Sequence, residues 1–133
     1  MDFEKDLRAV ETNIPGLIVF DLPVHGDNRG WFKENWQRAK QTALGLPDFG
    51  PVQNNISFNA KKGVTRGIHA EPWDKYISIA AGSVFGAWVD LRPGDSFGRC
   101  IRPCWIRARR STCRVAWATA SRRWRTVPCT RTW

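Results

Sequence analysis

Four short patterns in this 133-residue chain combine side-chain types that acid–base and phosphate chemistry use. Residues 27–34 read D-x-R-G-x-F-x-E, residues 53–57 read Q-x-N-x-S, residues 66–69 read R-G-x-H, and residues 89–92 read V-D-L-R. An imidazole is the natural general base near neutral pH, and guanidinium groups suit phosphate oxygens. Each pattern alone also fits a solvated or hydrogen-bonded residue of a sheet, so a single pattern is only weak support for a site.

Short apolar stretches separated by turn residues must position these patterns. Runs that are β-branched or alternate in polarity predict strands at residues 17–20, 31–34, 52–58, 64–69, 75–80 and 83–91. One helix is predicted over 36–44, with Asn35 as its N-cap and Gly45 at its C-terminal end. Many short strands and one helix favour an antiparallel β-sandwich or barrel. Six or seven strands before residue 100 are fewer than a closed jelly roll contains, so the sheet is expected to be incomplete.

The spacing of Arg66 and His69 constrains the strand that carries them. Residues three apart on a regular strand point to opposite faces, so both side chains reach one cavity only where the strand is irregular. Gly67 lies between them and is the natural position for a bulge. The sequence therefore predicts a bulge at Gly67.

The last 34 residues differ in composition from the rest of the chain. Residues 1–99 hold twelve basic and twelve acidic residues, whereas residues 100–133 hold nine Arg, no acid and all four cysteines. Three interpretations compete: a basic, Trp-containing arm that binds nucleic acid, a metal or disulfide module, and an out-of-frame translation of GC-rich DNA. The cysteine spacing, without a nearby His, fits no common zinc pattern. We favour the third interpretation and expect an irregular Arg/Cys/Trp-rich tail of non-native sequence.

Composition also excludes several protein classes. Eight Trp and seven Phe are incompatible with a wholly disordered chain. No apolar run approaches the roughly 18 residues that a membrane span needs. The charged N-terminus has no apolar core, so it does not have the form of a secretory signal. The expected location is the cytoplasm.

Taken in order, the four patterns resemble one known family. With Lys75 six residues after His69 and S-F-G at 96–98, they are similar to the dTDP-4-dehydrorhamnose 3,5-epimerase family of cupin-like jelly rolls. The resemblance covers about residues 14–99, a partial jelly-roll domain that follows an N-terminal segment over 1–13. It implies an all-β, antiparallel jelly-roll barrel, incomplete here, whose intact family members work as homodimers in deoxysugar or rhamnose biosynthesis. It also implies a nucleotide-diphosphate sugar substrate and no metal or organic cofactor.

The resemblance assigns roles to individual residues. Epimerising a carbon beside a ketone removes a proton on one face and returns one on the other. His69 matches the family's general base, and Lys75 matches the cation that stabilises the enolate oxygen. The residues that match substrate-binding positions are Arg29, Glu34, Gln53, Asn55, Ser57 and Arg66.

After Gly98 the motifs give no further match to the family. The family's Tyr general acid has no counterpart, because the only tyrosine, Tyr76, follows Lys75 directly and is predicted to lie on the opposite strand face. No Asp follows Asp95 to orient His69. Impaired activity is therefore expected. The alternatives are a non-catalytic jelly-roll fragment that binds nucleotide sugar, and nucleic-acid binding through the Arg-rich tail.

Overall fold

The computed structural model describes residues 6–48, 50, 52–67, 69–71, 73–107, 114–117 and 124–127. The strands in this part are β1 Arg8–Glu11, β2 Leu17–Asp21, β3 Val24–Asp27, β4 Gly30–Lys33, β5 His69–Glu71, β6 Lys75–Tyr76, β7 Ser83–Val89, β8 Cys100–Arg107, β9 Arg114–Trp117 and β10 Trp124–Val127. The helix is α1, Arg38–Ala43. Every strand pairing is antiparallel, which confirms the predicted all-β architecture with one short helix.

Two four-stranded sheets make up most of the fold. Their strand orders are β1-β2-β9-β6 and β5-β10-β7-β8, and β3 and β4 form a separate hairpin. Strands distant in sequence are neighbours in both sheets, as in a sandwich or jelly roll. None of the described helical residues forms a segment with the length and hydropathy of a membrane span.

Strand β2 is buried on both faces and therefore links two apolar clusters. Leu17 and Val19 pack with Trp88 of β7, which fills the space between the two sheets. Ile18 and Phe20 point the other way and pack beneath the segment that holds α1. Burying a side chain of this size stabilises the fold by about 1.5–3 kcal/mol. The first sheet is thus covered on both sides, and its inner face is the one that carries Leu17.

The indole of Trp88 also occupies the space above Gly86 in β7. A Cβ built on Gly86 would lie 2.7 Å from Cζ3 and 3.0 Å from Cζ2 of Trp88. The β7–β8 register shifts between these two residues. Glycine at this position therefore lets the buried indole pack flat against its own strand.

The helix begins two residues later than the sequence predicts, because Asn35 is not its cap. Gln37 is the N-cap, and its side-chain oxygen accepts a bond of 2.7 Å from the Lys40 N–H. In return, Oε1 of Gln41 accepts the Gln37 N–H at 3.2 Å, so the two side chains cap reciprocally. The backbone oxygen of Asn35 instead accepts the hydroxyl of Tyr76 at 2.8 Å. This contact ties Asn35 to β6 and keeps it outside the helix.

Two further predictions about regular structure are wrong. Residues 52–58 form no strand, and all seven side chains are exposed, since no neighbouring strand in the described part offers a ladder. By contrast, β8, β9 and β10 lie within residues 100–133, which were expected to be irregular. Main-chain N–H and C=O groups pair whatever the side chains are, so an unusual composition does not prevent strand formation. Cys113 and Cys129 of the suggested cysteine module lie outside the described residues.

Candidate active site between the two sheets

Strand register directs Lys75 into the space between the sheets. Lys75 pairs with Trp117 of β9, which in turn pairs with Leu17 of β2. Directly opposed residues of antiparallel strands share a face, so Lys75 lies on the face of Leu17. Leu17 packs against Trp88 of the other sheet. The face that carries Lys75 is therefore the inner one.

The same reasoning applies to His69 on the opposite sheet. His69 pairs with Thr126 of β10, which pairs with Trp88 of β7. His69 therefore lies on the face of the buried Trp88, and Glu71, two residues further along β5, lies on that face as well. His69 and Lys75 thus come from different sheets and lie on the faces that the two sheets turn towards each other, with His69 exposed and Lys75 half-buried.

An ion pair joins the two sheets at this point. The ammonium of Lys75 contacts Oε2 of Glu71, and the two side chains are 28% and 30% exposed. Glu71 Oε2 is itself buried. Burial lowers the pKa of Lys75 below its ordinary value, because the charged form loses hydration. The site therefore holds an ammonium group that is partly removed from water and directly opposed by one carboxylate.

Tyr76 is held on the other side of the same strand, as predicted. Its register partner Ala116 pairs with Ile18, which belongs to the outer cluster. The hydroxyl of Tyr76 accepts a bond of 2.8 Å from Nε2 of Gln41, which is almost fully buried. The ring lies edge-on to Trp36 with the centroids 5.2 Å apart. These contacts fix the outer face of β6 and thereby the direction of Lys75.

The strand predicted over 64–69 is shorter than expected. β5 begins only at His69, and residues 64–67 lie outside any strand. Gly67 has a φ of +117°, which side-chain-bearing residues rarely adopt. The expected irregularity is present at Gly67, although as non-strand backbone rather than as a bulge in a ladder. A regular strand therefore does not force Arg66 and His69 onto opposite faces.

Arg66 is exposed and bonded to the segment before it. Its Nε donates to Oδ1 of Asn59 at 2.6 Å, and Nη2 donates to the backbone oxygen of Phe58 at 3.1 Å. In that segment, Nε2 of Gln53 donates to Oδ1 of Asn55 at 3.1 Å. Ser57 is exposed as well. These predicted substrate-binding residues thus form one exposed polar segment that leads towards β5.

Two other predicted binding residues have ion-pair partners nearby in the chain. Arg29 lies in the turn of the β3–β4 hairpin, and its Nε donates to Oδ2 of Asp27 at 2.9 Å. Glu34 accepts bonds of 2.9 Å and 3.1 Å from Nζ of Lys40. The Arg29–Asp27 pair is exposed, whereas in the Lys40–Glu34 pair only Lys40 is, and Glu34 is 30% exposed. Solvent therefore screens the first pair more than the second.

The sequence patterns indicated neither the contact of Glu71 with Lys75 nor the structural role of V-D-L-R. Asp90 is fully buried and accepts bonds from Nε and Nη2 of Arg92, while Nη2 also donates to the backbone oxygen of Pro15 at 2.7 Å. This clamp holds the end of β7 against the entry to β2.

The spacing of Glu71, two residues after His69 and four before Lys75, is the sequence signal that could have identified it as a site residue. Among the described residues, no group of three or more His, Cys, Asp or Glu side chains could hold a metal ion.

Comparison with known proteins agrees with the motif resemblance. A family model described as dTDP-4-dehydrorhamnose 3,5-epimerase matches residues 11–110, which extends the match beyond Gly98 into the Arg-rich segment. An RmlC homolog of Streptococcus pyogenes is 57% identical over 102 residues, covering 72% of this chain and 51% of that protein. The dTDP-4-dehydrorhamnose 3,5-epimerase of Pseudomonas aeruginosa is 39% identical over 100 residues, covering 71% of this chain and 54% of that protein.

Solved structures give the same fold. RmlC from Streptococcus suis, in complex with dTDP-D-xylose, superposes with a TM-score of 0.81 at 46% identity, covering 98% of this chain and 66% of that one. The chain spans about half the length of the curated relatives it matches. The extent of the family match, together with the cupin-like sheets, means that this chain belongs to the dTDP-4-dehydrorhamnose 3,5-epimerase family.

Proposed function

We propose that this chain carries the proton-abstracting half of a sugar-nucleotide epimerase site. His69 is the general base, and Lys75 stabilises the enolate that forms beside the 4-keto group of a dTDP-linked deoxysugar. The observation that carries this proposal is strand register, which places His69 and Lys75 on the facing sides of two different sheets. RmlC from Streptococcus suis binds dTDP-D-xylose, which supports a nucleotide-linked sugar as the ligand.

The proposed step balances without a cofactor. The neutral imidazole of His69 takes the proton from the carbon beside the ketone, and the C–H electron pair becomes the enolate π bond as the carbonyl oxygen gains charge. The Lys75 ammonium donates a hydrogen bond to that oxygen. A preorganised donor of this kind contributes a factor of about 10²–10³ in rate, and a positioned base about 10²–10⁴.

Substrate binding falls to the exposed polar residues. Guanidinium groups suit diphosphate oxygens through paired N–H donors, so Arg29 and Arg66 are proposed as phosphate contacts. The amide, hydroxyl and carboxylate groups of the remaining residues suit nucleotide and sugar edges; these residues are Glu34, Gln53, Asn55 and Ser57. Arg29, Glu34 and Arg66 would exchange their present exposed partners for the ligand.

Inversion needs a second group that returns a proton on the opposite face. Tyr76, the only tyrosine of the chain, is bonded to Gln41 and Asn35 on the outer face of the first sheet. We therefore propose that His69 can remove a proton and return it to the same face faster than the chain inverts the carbon. The rate of proton exchange with solvent would then exceed the rate of epimerisation. The expected loss of activity would therefore affect inversion more than proton removal.

The test is isotope exchange in D₂O with dTDP-4-keto-6-deoxyglucose, followed by NMR at sugar C3 and C5. We expect deuterium at one or both carbons, with retained configuration in excess over inverted product. Binding of the nucleotide sugar without exchange would contradict the enzymatic proposal and leave the non-catalytic binding fragment. Comparable rates of exchange and inversion would contradict the proposal that the chain lacks an acid on the opposite face of the carbon.

The homodimer and the cytoplasmic location belong to the same proposal. Exposed apolar side chains on residues 52–58 support association, and cell fractionation checks the location.

Nucleic-acid binding by the Arg-rich tail has less support. β9 lies between β2 and β6, and β10 lies between β5 and β7, so neither strand is part of an extended arm. DNA binding that is lost at high salt would restore that alternative.

The origin of residues 100–133 is open to a direct check. We propose that the DNA encoding them is read out of frame, because their composition lacks Leu, Gly, Asp, Glu and Lys altogether. Translation of the other two frames after codon 98 should restore those residues together with a Tyr-containing strand. If neither frame continues the epimerase pattern, the out-of-frame proposal fails.

A further inference from the structure

Glu71 lies between the two residues to which the proposed chemistry is assigned. It is two residues after His69 on β5, so its side chain leaves the same face of the strand, with the two Cα atoms roughly 7 Å apart. Its carboxylate contacts the ammonium of Lys75 on β6, in the opposite sheet. The contact therefore fixes the ammonium against β5, the strand that carries His69.

Because the pair is partly buried, the protonation of Lys75 depends on the opposing carboxylate of Glu71. Both side chains are about 70% removed from solvent, and the Glu71 oxygen that faces Lys75 is buried. A buried ammonium without a counter-charge tends to lose its proton, whereas an opposite charge within about 4–6 Å favours the charged form. An enolate is stabilised by an ammonium and far less by a neutral amine.

We propose that Glu71 is a positioning residue, whose carboxylate holds the Lys75 side chain on the His69 side of the inter-sheet space and keeps it protonated. Glu71 does not itself touch the reacting carbon in this arrangement. The role of the ammonium in catalysis rests on the proposed function, whereas the effect of Glu71 on Lys75 is a property of the folded chain.

Other charged groups near the pair are few in the described part of the chain. His69 shares the face of β5, and Asp74 precedes Lys75 in the sequence. The strands that pair with β6 and β5 carry Arg114 and Arg125, but their register partners, Phe20 and Ala70, place both positions on the faces away from Lys75 and Glu71. Glu71 is the acidic group in direct contact with Lys75, so its removal should dominate any change in Lys75 titration.

The experiment compares the full chain with Glu71→Gln, which keeps size and removes charge. The six lysines are labelled by reductive ¹³C-methylation, and Lys75→Arg identifies the Lys75 signal. We expect the titration midpoint of Lys75 to fall by about one pH unit or more in the Gln variant. The rate of isotope exchange should fall at least tenfold, and the alkaline limb of its pH profile should move to lower pH.

Two variants control this result. Asp48→Asn removes the carboxylate of the exposed Arg38–Asp48 pair and should leave both the Lys75 midpoint and the exchange rate unchanged. Glu71→Asp keeps the charge and should recover most of the midpoint shift. A Lys75 midpoint that is the same in Glu71→Gln and the parent chain would overturn the inference. A shifted midpoint in a chain that exchanges no proton would support it and would count against the proposed function alone.

Discussion

Lys75 and Tyr76 are neighbours in β6, and their side chains are fixed on opposite sides of the sheet. The ammonium of Lys75 meets Glu71 in the inter-sheet space, whereas the hydroxyl of Tyr76 donates to Asn35 and accepts from Gln41 on the outer side. A rotation of β6 that moved Lys75 outward would break its contact with Glu71 and would also break the hydrogen bonds of Tyr76 with Gln41 and Asn35. The outer hydrogen bonds thus hold the inner ammonium in place.

Replacing Tyr76 with Phe separates this anchoring role from a chemical one. The ring and its contact with Trp36 remain, but the buried amide of Gln41 loses its acceptor. A buried polar group left without its partner costs about 1–3 kcal/mol. We expect the free energy of unfolding to fall by that amount in urea titrations, with isotope exchange retained. Loss of exchange from a folded Tyr76→Phe chain would mean that the hydroxyl takes part in the reaction.

Replacing His69 with Asn tests the proposed base. The side chain is exposed, so stability should change by no more than about 0.5 kcal/mol. Isotope exchange should fall by about 10²–10⁴, the usual contribution of a positioned general base. His25→Asn, at an exposed position of β3, is the matched control and should exchange at the parent rate. Equal exchange by both variants would remove His69 from the mechanism.

The sequence could predict the local features of this fold but not its long-range pairings. β2 and β7 are apolar runs of ordinary strand composition, and both occur close to where they are predicted. β1 has the sequence R-A-V-E, with no clear alternation, and forms because the edge of β2 offers a ladder. Residues 52–58 alternate only loosely, and they form no strand in the described part of the chain, because a strand requires a partner that only the tertiary fold supplies.

The candidate site was predictable in its chemistry and not in its geometry. His69 and Lys75 follow from short motifs, but the face of each depends on register with β10 and β9. Those strands, R-V-A-W and W-R-T-V, carry β-branched and aromatic residues, but they lie in a segment whose biased composition predicts an irregular tail. Glu71 was missed as the partner of Lys75 for the same reason, since their contact exists only once two sheets have closed on each other.

Replacing Gly86 with Ala should destabilise the fold by overpacking. The new Cβ would collide with the ring of Trp88, which is buried between the sheets and has no room to withdraw. Overpacking of a well-filled core costs about 1–3 kcal/mol. Thermal unfolding measures the effect. Gly82→Ala is not a suitable control, because the backbone φ of Gly82 is positive. Ala87→Gly, at the next position of β7, instead reports how much stability a small substitution in this strand costs. Gly86→Ala with parent stability would show that the indole can move.

The clamp between Asp90 and Arg92 should make stability depend on acid pH. Burial raises the pKa of Asp90, but hydrogen bonds from Arg92 and Ser96 together outweigh it, so the pKa lies below its ordinary value. A depressed pKa means that the charged carboxylate stabilises the fold above the unfolded pKa of about 3.9, and that this contribution is lost as the pH falls through the folded pKa.

Asp90→Asn measures that contribution directly. Removing one partner of a buried ion pair costs about 3–5 kcal/mol at neutral pH, because Arg92 loses its counter-charge. In urea unfolding, the gap between parent and variant should be widest near pH 7 and should narrow below pH 4. A gap that is constant across this range would mean that packing rather than ionisation is responsible.

The exposed segment over 52–58 predicts self-association of the chain. Val52, Ile56 and Phe58 are 99%, 90% and 82% exposed, and large apolar side chains at such spacing are uncommon on the surface of a soluble monomer. Within the described part of the chain this segment belongs to no strand, so its backbone offers an edge to a second copy. Ile56→Arg should therefore shift sedimentation-velocity profiles from dimer towards monomer at a given concentration. Phe97→Arg changes an exposed apolar residue outside the segment and should leave the dimer intact. A parent chain that sediments as a monomer up to the highest soluble concentration would exclude a homodimer built on this segment.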